Sequence, residues 1–467
     1  MNGVLLGVLG YVALQFVIGA WVARRIHTES DYIIAGRRIG LVLGAFTVFA
    51  TWFGAEVIVG AAGQVYAHGL SGAQFDPFGY ALALMVAGLV FAAALWRRGL
   101  TTFADFFRQR YSPGVERLVV LVLVPGSVFW AAAQIRAFGQ VVSAVSDIDV
   151  PMAITAAAVV CVAYTVLGGL MADAITDLVQ GIAVIIGLLV LAALAAAELG
   201  GLSQSLDRLE ASRLVVLAPD ATAQSTLEIV ERWLVPICGT IVAIELVSRI
   251  LGCRSAEVAR SATMAGALLY LAVGLIPVYL GLVGPQLVAG LSGEDVEQIV
   301  PRLAERLLPG LLFVLFAGAL ISAILSTVDS VLLAAASMIS HNVVMRMLTS
   351  PSERLKLRSV RLTVVALAVL AYALALHAGS VGDLVEVAAA AGSSGVIVCL
   401  VLGLFTRWGG AVSATAAMLA GALVWLLAEL LELTSTPYLL AVAIALLAYL
   451  AGLAVPDGAR QEPADAA

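Results

Sequence analysis

The chain has little charge. Of its 467 residues only 12% are Asp, Glu, Lys or Arg, about half the share usual in a soluble globular domain. Lysine is almost missing: Lys356 stands alone among the basic residues, and the rest are Arg. No basic patch suited to nucleic acid is left. The four cysteines, Cys161, Cys238, Cys253 and Cys399, are scattered singly. With no CxxC or Cys/His spacing they offer neither a metal motif nor a disulfide framework, and they read as small packing residues. No nucleophile–base set, metal cluster or phosphate loop is legible, so an enzyme is not expected and no cofactor is implied.

What the chain has instead is apolar length. Hydrophobic residues make up 62% and the mean hydropathy is +1.06. Apolar runs of about 18–25 residues recur from end to end, which argues helices in a lipid bilayer rather than a β-barrel. The spans read as 4–23, 41–66, 74–96, 118–144, 151–168, 172–199, 227–251, 261–285, 309–345, 361–377, 382–405, 410–431 and 437–455. The expectation is an all-α polytopic membrane protein of about thirteen helices. The first run has no basic residue before it and Arg24 and Arg25 after it, so it reads as a retained span and not a cleaved signal. With that topology about nineteen basic residues fall in the loops of one side and about five in those of the other. The basic side is the cytoplasm, which places the N-terminus outside and the C-terminus inside, in the plasma (inner) membrane. Loops 200–228 and 284–309 then lie outside and read as short surface helices. Segment 101–111 (TTFADFFRQRY) reads as an interfacial helix, and 456–467 as a short polar tail with no soluble domain after it.

Two spans are interrupted. Residues 49–63 (FATWFGAEVIVGAAG) carry Gly54 and Glu56 near the middle of the membrane. Residues 233–249 (WLVPICGTIVAIELVSR) carry Pro236, Gly239 and Glu245. An ionisable residue at that depth is a functional-site hypothesis by default. Two interrupted spans, five helices apart, point to an inverted repeat with its site between the halves. The division that follows is 1–40 peripheral, 41–200 first repeat, 201–226 outer loop, 227–405 second repeat, 406–455 peripheral and 456–467 tail.

Other polar residues fall at helical spacing. In 316–342, Ser322, Ser326 and Ser330 share a face with Asp329 beside them, and Ser337 follows. Hydroxyls and a carboxylate are hard oxygen ligands suited to an alkali cation. Asp173, Asp177 and Gln180 share another face, with Asp173 read as near the solvated inner surface. Trp130 and Gln134 are i, i+4 neighbours. Arg136 must find an acid, with Glu56 or Glu245 as candidates. Trp52, Tyr80 and Trp130 lie inside spans, where aromatic faces hold an ammonium or simply pack.

At these residues the sequence resembles the solute:sodium symporter family. The pieces are DYIIAGRRIG (31–40), ATWFGAEVIVGAAG (50–63), YTVLGGLMADAITDLVQ (164–180) and LSTVDS (325–330). The resemblance covers helices 1 to 11 and implies the five-plus-five inverted repeat of LeuT-like transporters. It implies a main sodium site from the carbonyls of Ala50, Phe53 and Ala323 with the hydroxyls of Ser326 and Thr327. A second sodium site, present in some members, matches Asp177, Ser326, Asp329 and Ser330. ATW, PFGY, FWAAA and SDIDV are similar to the high-affinity choline transporter branch, with some likeness to the proline symporter branch. Trp52, Tyr80 and Trp130 match three aromatics of the choline box, and the fourth position falls on Ala243. Glu56, Gln134 and Glu245 are polar where that branch is apolar or small.

The expected function is therefore a secondary active transporter coupling inward sodium movement to uptake of a small organic solute. The substrate residues would be Trp52, Glu56, Tyr80, Trp130, Gln134 and Glu245. Proline, other amino acids, carboxylates, urea-like solutes and sugars stay open as substrates. Proton coupling through Asp177, Asp329 or Glu56, or a transporter-like solute sensor, stands as the alternative.

Overall fold

The computed structural model describes residues 10, 13, 16–144, 148–216, 226–377, 381–390 and 392–455. Most of the expected first span, residues 146–147 of SDIDV and the 456–467 tail lie outside the described residues, as does the Cys161 side chain.

Helices account for almost all of what is described, and an isolated Ile39–Cys253 bridge is the one β contact among those residues. A short α1 (Glu29–Ile34) starts at Thr28, whose hydroxyl and Asp31 form a capping box. The first broken span is α2 (Leu41–Trp52), followed by a π-turn at Glu56–Ala61 and α3 (Ala62–His68). The next span runs through α4 (Tyr80–Val86) and α5 (Ala93–Trp96). After α6 (Phe103–Arg110) come the long helices α7 (Pro113–Ala144) and α8 (Val150–Glu198). A 49-residue helix is about twice what a bilayer needs. Gly169, at φ +60°, breaks α8 into the two expected spans. Only glycine fits there, because a Cβ would lie 2.9 Å from the Tyr32 carbonyl oxygen.

In the second half, α9 (Leu202–Asp207) precedes α10 (Thr226–Ile241) and α11 (Ile244–Gly252). Then follow α12 (Ala256–Leu287), α13 (Ile299–Leu307) and α14 (Gly310–Ile339). The series closes with α15 (Glu353–His377), α16 (Val381–Ala390), α17 (Ser393–Phe405), α18 (Ala411–Leu430) and α19 (Pro437–Ala451). Among the described residues nine helices are long and apolar enough to cross a membrane, or ten with the bent pair α10–α11 counted as one span. The number thirteen is not reached. Helix α2 is short because it is broken, Glu56–Trp96 runs as one apolar path, and the first span is only partly described.

Helix α14 is the centre of the molecule. Every residue from Phe316 to Met338 is buried, and its neighbours are α7, α8 and α15. A helix buried all round is a core element, so its Ser, Thr and Asp side chains must find partners inside the protein.

Three local expectations are corrected. The seventh span breaks at Val242–Ala243, where Ala243 is extended (φ −63°, ψ 123°), with a 44° bend between α10 and α11. Pro236 sits inside α10, and Gly239 serves packing, since a Cβ there would meet the Ala389 carbonyl at 2.6 Å. Segment 382–405 is two helices, separated by Gly392 at φ +76°. Helix α6 is not spread on an interface: Phe103, Phe106 and Phe107 are buried, and Asn342 ties it to the centre. The Asn342 amide donates to Asp105 at 2.9 Å and to Glu116 at 2.8 Å, and its oxygen accepts from Thr102 at 2.6 Å.

Candidate functional site

The break after Trp52 frees backbone oxygens. Gly54 N–H turns to the Trp52 carbonyl at 3.1 Å, and Ala55 N–H turns to Gln134 Oε1 at 3.3 Å. Their regular i−4 acceptors are the carbonyls of Ala50 and Thr51, which therefore lose those helical donors. Phe53, at φ −88° and ψ 65°, is outside any helix. Gly54 lets α14 and α7 approach the break: a Cβ would lie 2.9 Å from Gln134 Oε1 and 3.0 Å from Thr327 Oγ1. On the α14 side, Thr327 Oγ1 donates to the Ala323 carbonyl at 3.3 Å, a long contact. The structure thus brings Thr327 to the opened backbone at Gly54, with Ala323 and Ser326 on the same buried helix. Carbonyl and hydroxyl oxygens with no net charge form a donor set fit for one alkali cation.

Beside it α8 and α14 face each other through a polar seam. Asp177 accepts from Thr47 at 2.5 Å and from Ser326, and Gln180 donates to Ser322 at 2.9 Å. Asp173 is fully buried and not solvated as expected. It is ion-paired to Arg249 of α11 at 2.5 Å. Ser330 bonds to Asp173 and Arg249 rather than to Asp177. Asp329 is buried, with the Thr165 hydroxyl of α8 beside its carboxylate. The expected second-site quartet is therefore divided: Ser326 goes with Asp177, Ser330 goes with Asp173, and Asp329 faces Thr165.

Arg249, at the end of span 227–251, counts in the sequence among the nineteen basic residues of the cytoplasmic side; the structure makes it 1% exposed and the buried cation of this seam. Arg136, the expected mid-membrane cation, donates to the Ala375 carbonyl at 3.3 Å, and no ion pair joins it to Glu56 or Glu245. The signal for Arg249 was its place four residues after Glu245 on a short broken helix. The basic-loop reading hid it.

A small cavity that opens to solvent lies at the two breaks. Trp52, Tyr80, Trp130 and Glu245 all line it, with Thr240 and Ala243 from the second break. The Trp52 and Trp130 rings are 5.5 Å apart at 57°. Glu245 Oε1 accepts from Ser127 at 2.6 Å. Gln134 is not in the lining, because it holds the Ala55 N–H, and its amide nitrogen has no acceptor. Glu56 is not in the lining either. It lies behind Tyr80 and Trp130, which flank it without aligned hydrogen bonds, and both of its oxygens lack a donor. Two further polar residues were not anticipated. Asp76 accepts from Tyr270 at 2.6 Å, and Ser127 fixes Glu245.

Two interrupted helices crossing a fully buried one, with a cavity at the interruptions, define the architecture of ion-coupled membrane symporters. A Na⁺-coupled sialic acid symporter, solved in a substrate-bound outward-open state, superposes with a TM-score of 0.83 over 96% of both chains at 18% identity. Mhp1, a nucleobase-cation-symport-1 family transporter, gives 0.63 over 91% of this chain and 94% of its own at 14% identity. At those identities the likeness speaks for the fold. The profile of the sodium:solute symporter family matches residues 32–421, and the chain belongs to that family. Its relatives include high-affinity choline transporter 1 of Torpedo marmorata, 31% identical over 73% of this chain and 62% of that protein. The human protein of that name is 28% identical over 73% and 61%. The chain thus spans about three fifths of the length of those relatives. An uncharacterized symporter of Bacillus subtilis is 23% identical over 85% of this chain and 80% of its own.

Proposed function

We propose that the protein is a secondary active transporter that couples inward sodium movement to uptake of a small organic solute. The observation that carries this is the opened α2 backbone set against the α14 hydroxyls, next to a cavity at both helix breaks. Sodium is held by Ala50, Phe53, Ala323, Ser326 and Thr327. Asp177, with Ser326 and Thr47, offers a second cation place, with Asp329 and Ser330 at its edge. The solute lies in the cavity against Trp52, Tyr80, Trp130 and Glu245, with Glu56 behind and Gln134 supporting the break. The site joins two repeats, 41–200 and 227–405, and the side carrying most of the Arg residues faces the cytoplasm of a plasma membrane.

The mechanism follows from where the ion sits. Sodium bound between α2 and α14 gives the orphaned carbonyls a partner and holds the two helices in one relative position. Trp52 is on the same broken helix as Ala50, so fixing the break also fixes one cavity wall. Binding of ion and solute is thereby cooperative, and the coupling is reciprocal. Release inside follows rocking of one bundle against the other.

The test is the double substitution Ser326→Ala with Thr327→Ala. It removes two hydroxyls from a buried helix without adding volume. Sodium-dependent uptake is expected to vanish while the thermal unfolding midpoint stays within a few degrees. Unchanged sodium affinity in the double variant would remove the site. A second reading, proton coupling, is favoured by one observation: Asp329 is a buried carboxylate in the seam with no ion pair to a described residue. Uptake driven by a pH gradient in sodium-free buffer would select it.

A further inference from the structure

The cavity walls restrict what kind of solute fits. Among the described residues no Lys, Arg or His lines them, so a solute carboxylate meets no described cationic side chain there. Three walls are aromatic, and aromatic faces attract positive charge. Glu245 is the charged group among the described lining residues, and Ser127 donates to its Oε1. Behind Tyr80 and Trp130 lies Glu56, 7% exposed, with both oxygens lacking donors. Beyond it Asp76, 4% exposed, leaves Oδ2 without a donor while Oδ1 takes the Tyr270 hydroxyl. None of these three acids makes an ion pair with a described residue. A cavity of aromatic faces, with carboxylates that no described side chain ion-pairs and with Arg249 reaching only the Glu245 backbone carbonyl, favours a positive ligand.

The free oxygens make the ligand more specific. A quaternary ammonium presents only C–H groups, and it is best held by a closed aromatic cage. Here the wall contributed by α11's start is Ala243, which is small. Besides Ser127 only the residue's own backbone N–H approaches the Glu245 carboxylate, which leaves it room to accept an N–H or O–H from a ligand. We infer that the transported solute is a protonated amine carrying at least one N–H, seated against Trp52 and Trp130 with that N–H donated to Glu245. Glu56 acts through Tyr80 and Trp130 as a positioning and field-setting residue. For its transport the inference rests on the symport reading; for binding alone it does not.

The test uses the purified full chain and four ligands of one skeleton: ethanolamine, N,N-dimethylethanolamine, choline and glycine betaine. Each is titrated calorimetrically in sodium and in potassium buffer. An N–H-bearing amine is expected to bind at least roughly tenfold more tightly than choline, and betaine more weakly still. Glu245→Gln should lose roughly tenfold for the amine and far less for choline. Glu245→Asp, which keeps the charge, should recover part of the loss and guards against misfolding. Choline or betaine binding as tightly as both amines overturns the assignment, as does an amine affinity unmoved by Glu245→Gln. Sodium-driven accumulation of betaine in place of the amines overturns it while upholding symport. Amine binding that is identical in both buffers, with no accumulation, upholds it and overturns symport.

Discussion

Arg249→Met strips the one counter-charge that Asp173 has in the polar seam. Both members are essentially unexposed, at 1% and 0%, and their contact is 2.5 Å. At an effective dielectric near 20, opposite charges about 4 Å apart attract by about 4 kcal/mol. Removing one partner of a buried pair costs about 3–5 kcal/mol, because the other charge stays buried and unpaired. Ser330 also loses its Arg249 contact, and the Arg249 link to the Glu245 carbonyl at 3.2 Å disappears. In a chain of this size such a loss lowers the unfolding midpoint by roughly 3–5 °C. The assay is thermal unfolding in detergent followed by tryptophan fluorescence. Adding Asp173→Asn to Arg249→Met removes the stranded charge and should recover most of the loss. A single variant as stable as the parent, or a double variant as unstable as the sum of the singles, would refute the reasoning.

Gly54→Ala places a methyl against Gln134 Oε1 and Thr327 Oγ1 at 2.9 and 3.0 Å. It should raise the sodium concentration for half-maximal uptake by roughly tenfold, about 1.4 kcal/mol, with folding retained; an unchanged sodium dependence would separate Thr327 from the ion. Asp105 is raised by burial but lowered more by His341 and the Thr102 and Thr101 N–H groups, ending at about 2 from 3.8. A depressed carboxyl contributes stability that is complete above pH 3.8 and is lost as pH falls toward 2, about 2 kcal/mol in all. The midpoint gap between the parent and Asp105→Asn should therefore close on acidification from pH 6 to pH 2, and a constant gap would contradict it. Asn342→Ala leaves Asp105, Glu116 and Thr102 each short of one partner and should destabilise by about 1–3 kcal/mol, read as a lower midpoint.

The sequence made the bundle legible because membrane spans are written in apolar length. Expected loops fall where helices end, and even the unusual α8 is cut at Gly169, where the spans 151–168 and 172–199 were separated. The break at Gly54 was legible because glycine beside a buried acid is rare in a span. The second break was placed early, because Pro236 and Gly239 are stronger local signals than Ala243, yet α10 tolerates both. Partnering was the least legible part. Arg249 is one Arg among many as a letter, and only the packing of α11 against α8 and α14 shows that it meets Asp173. Likewise Glu56 and Gln134 share a region with the cavity walls, but one lies behind Tyr80 and the other holds a backbone N–H. Those roles depend on a third helix that spacing along one helix does not reveal.

The most direct measurement of sodium coupling is solute accumulation in proteoliposomes under an imposed gradient. Vesicles loaded with potassium and diluted into sodium should concentrate a labelled protonated amine above the outside level. Vesicles with equal sodium on both sides should only equilibrate it, and Ser326→Ala with Thr327→Ala should abolish the excess. Accumulation that is the same with and without a sodium gradient would contradict the account.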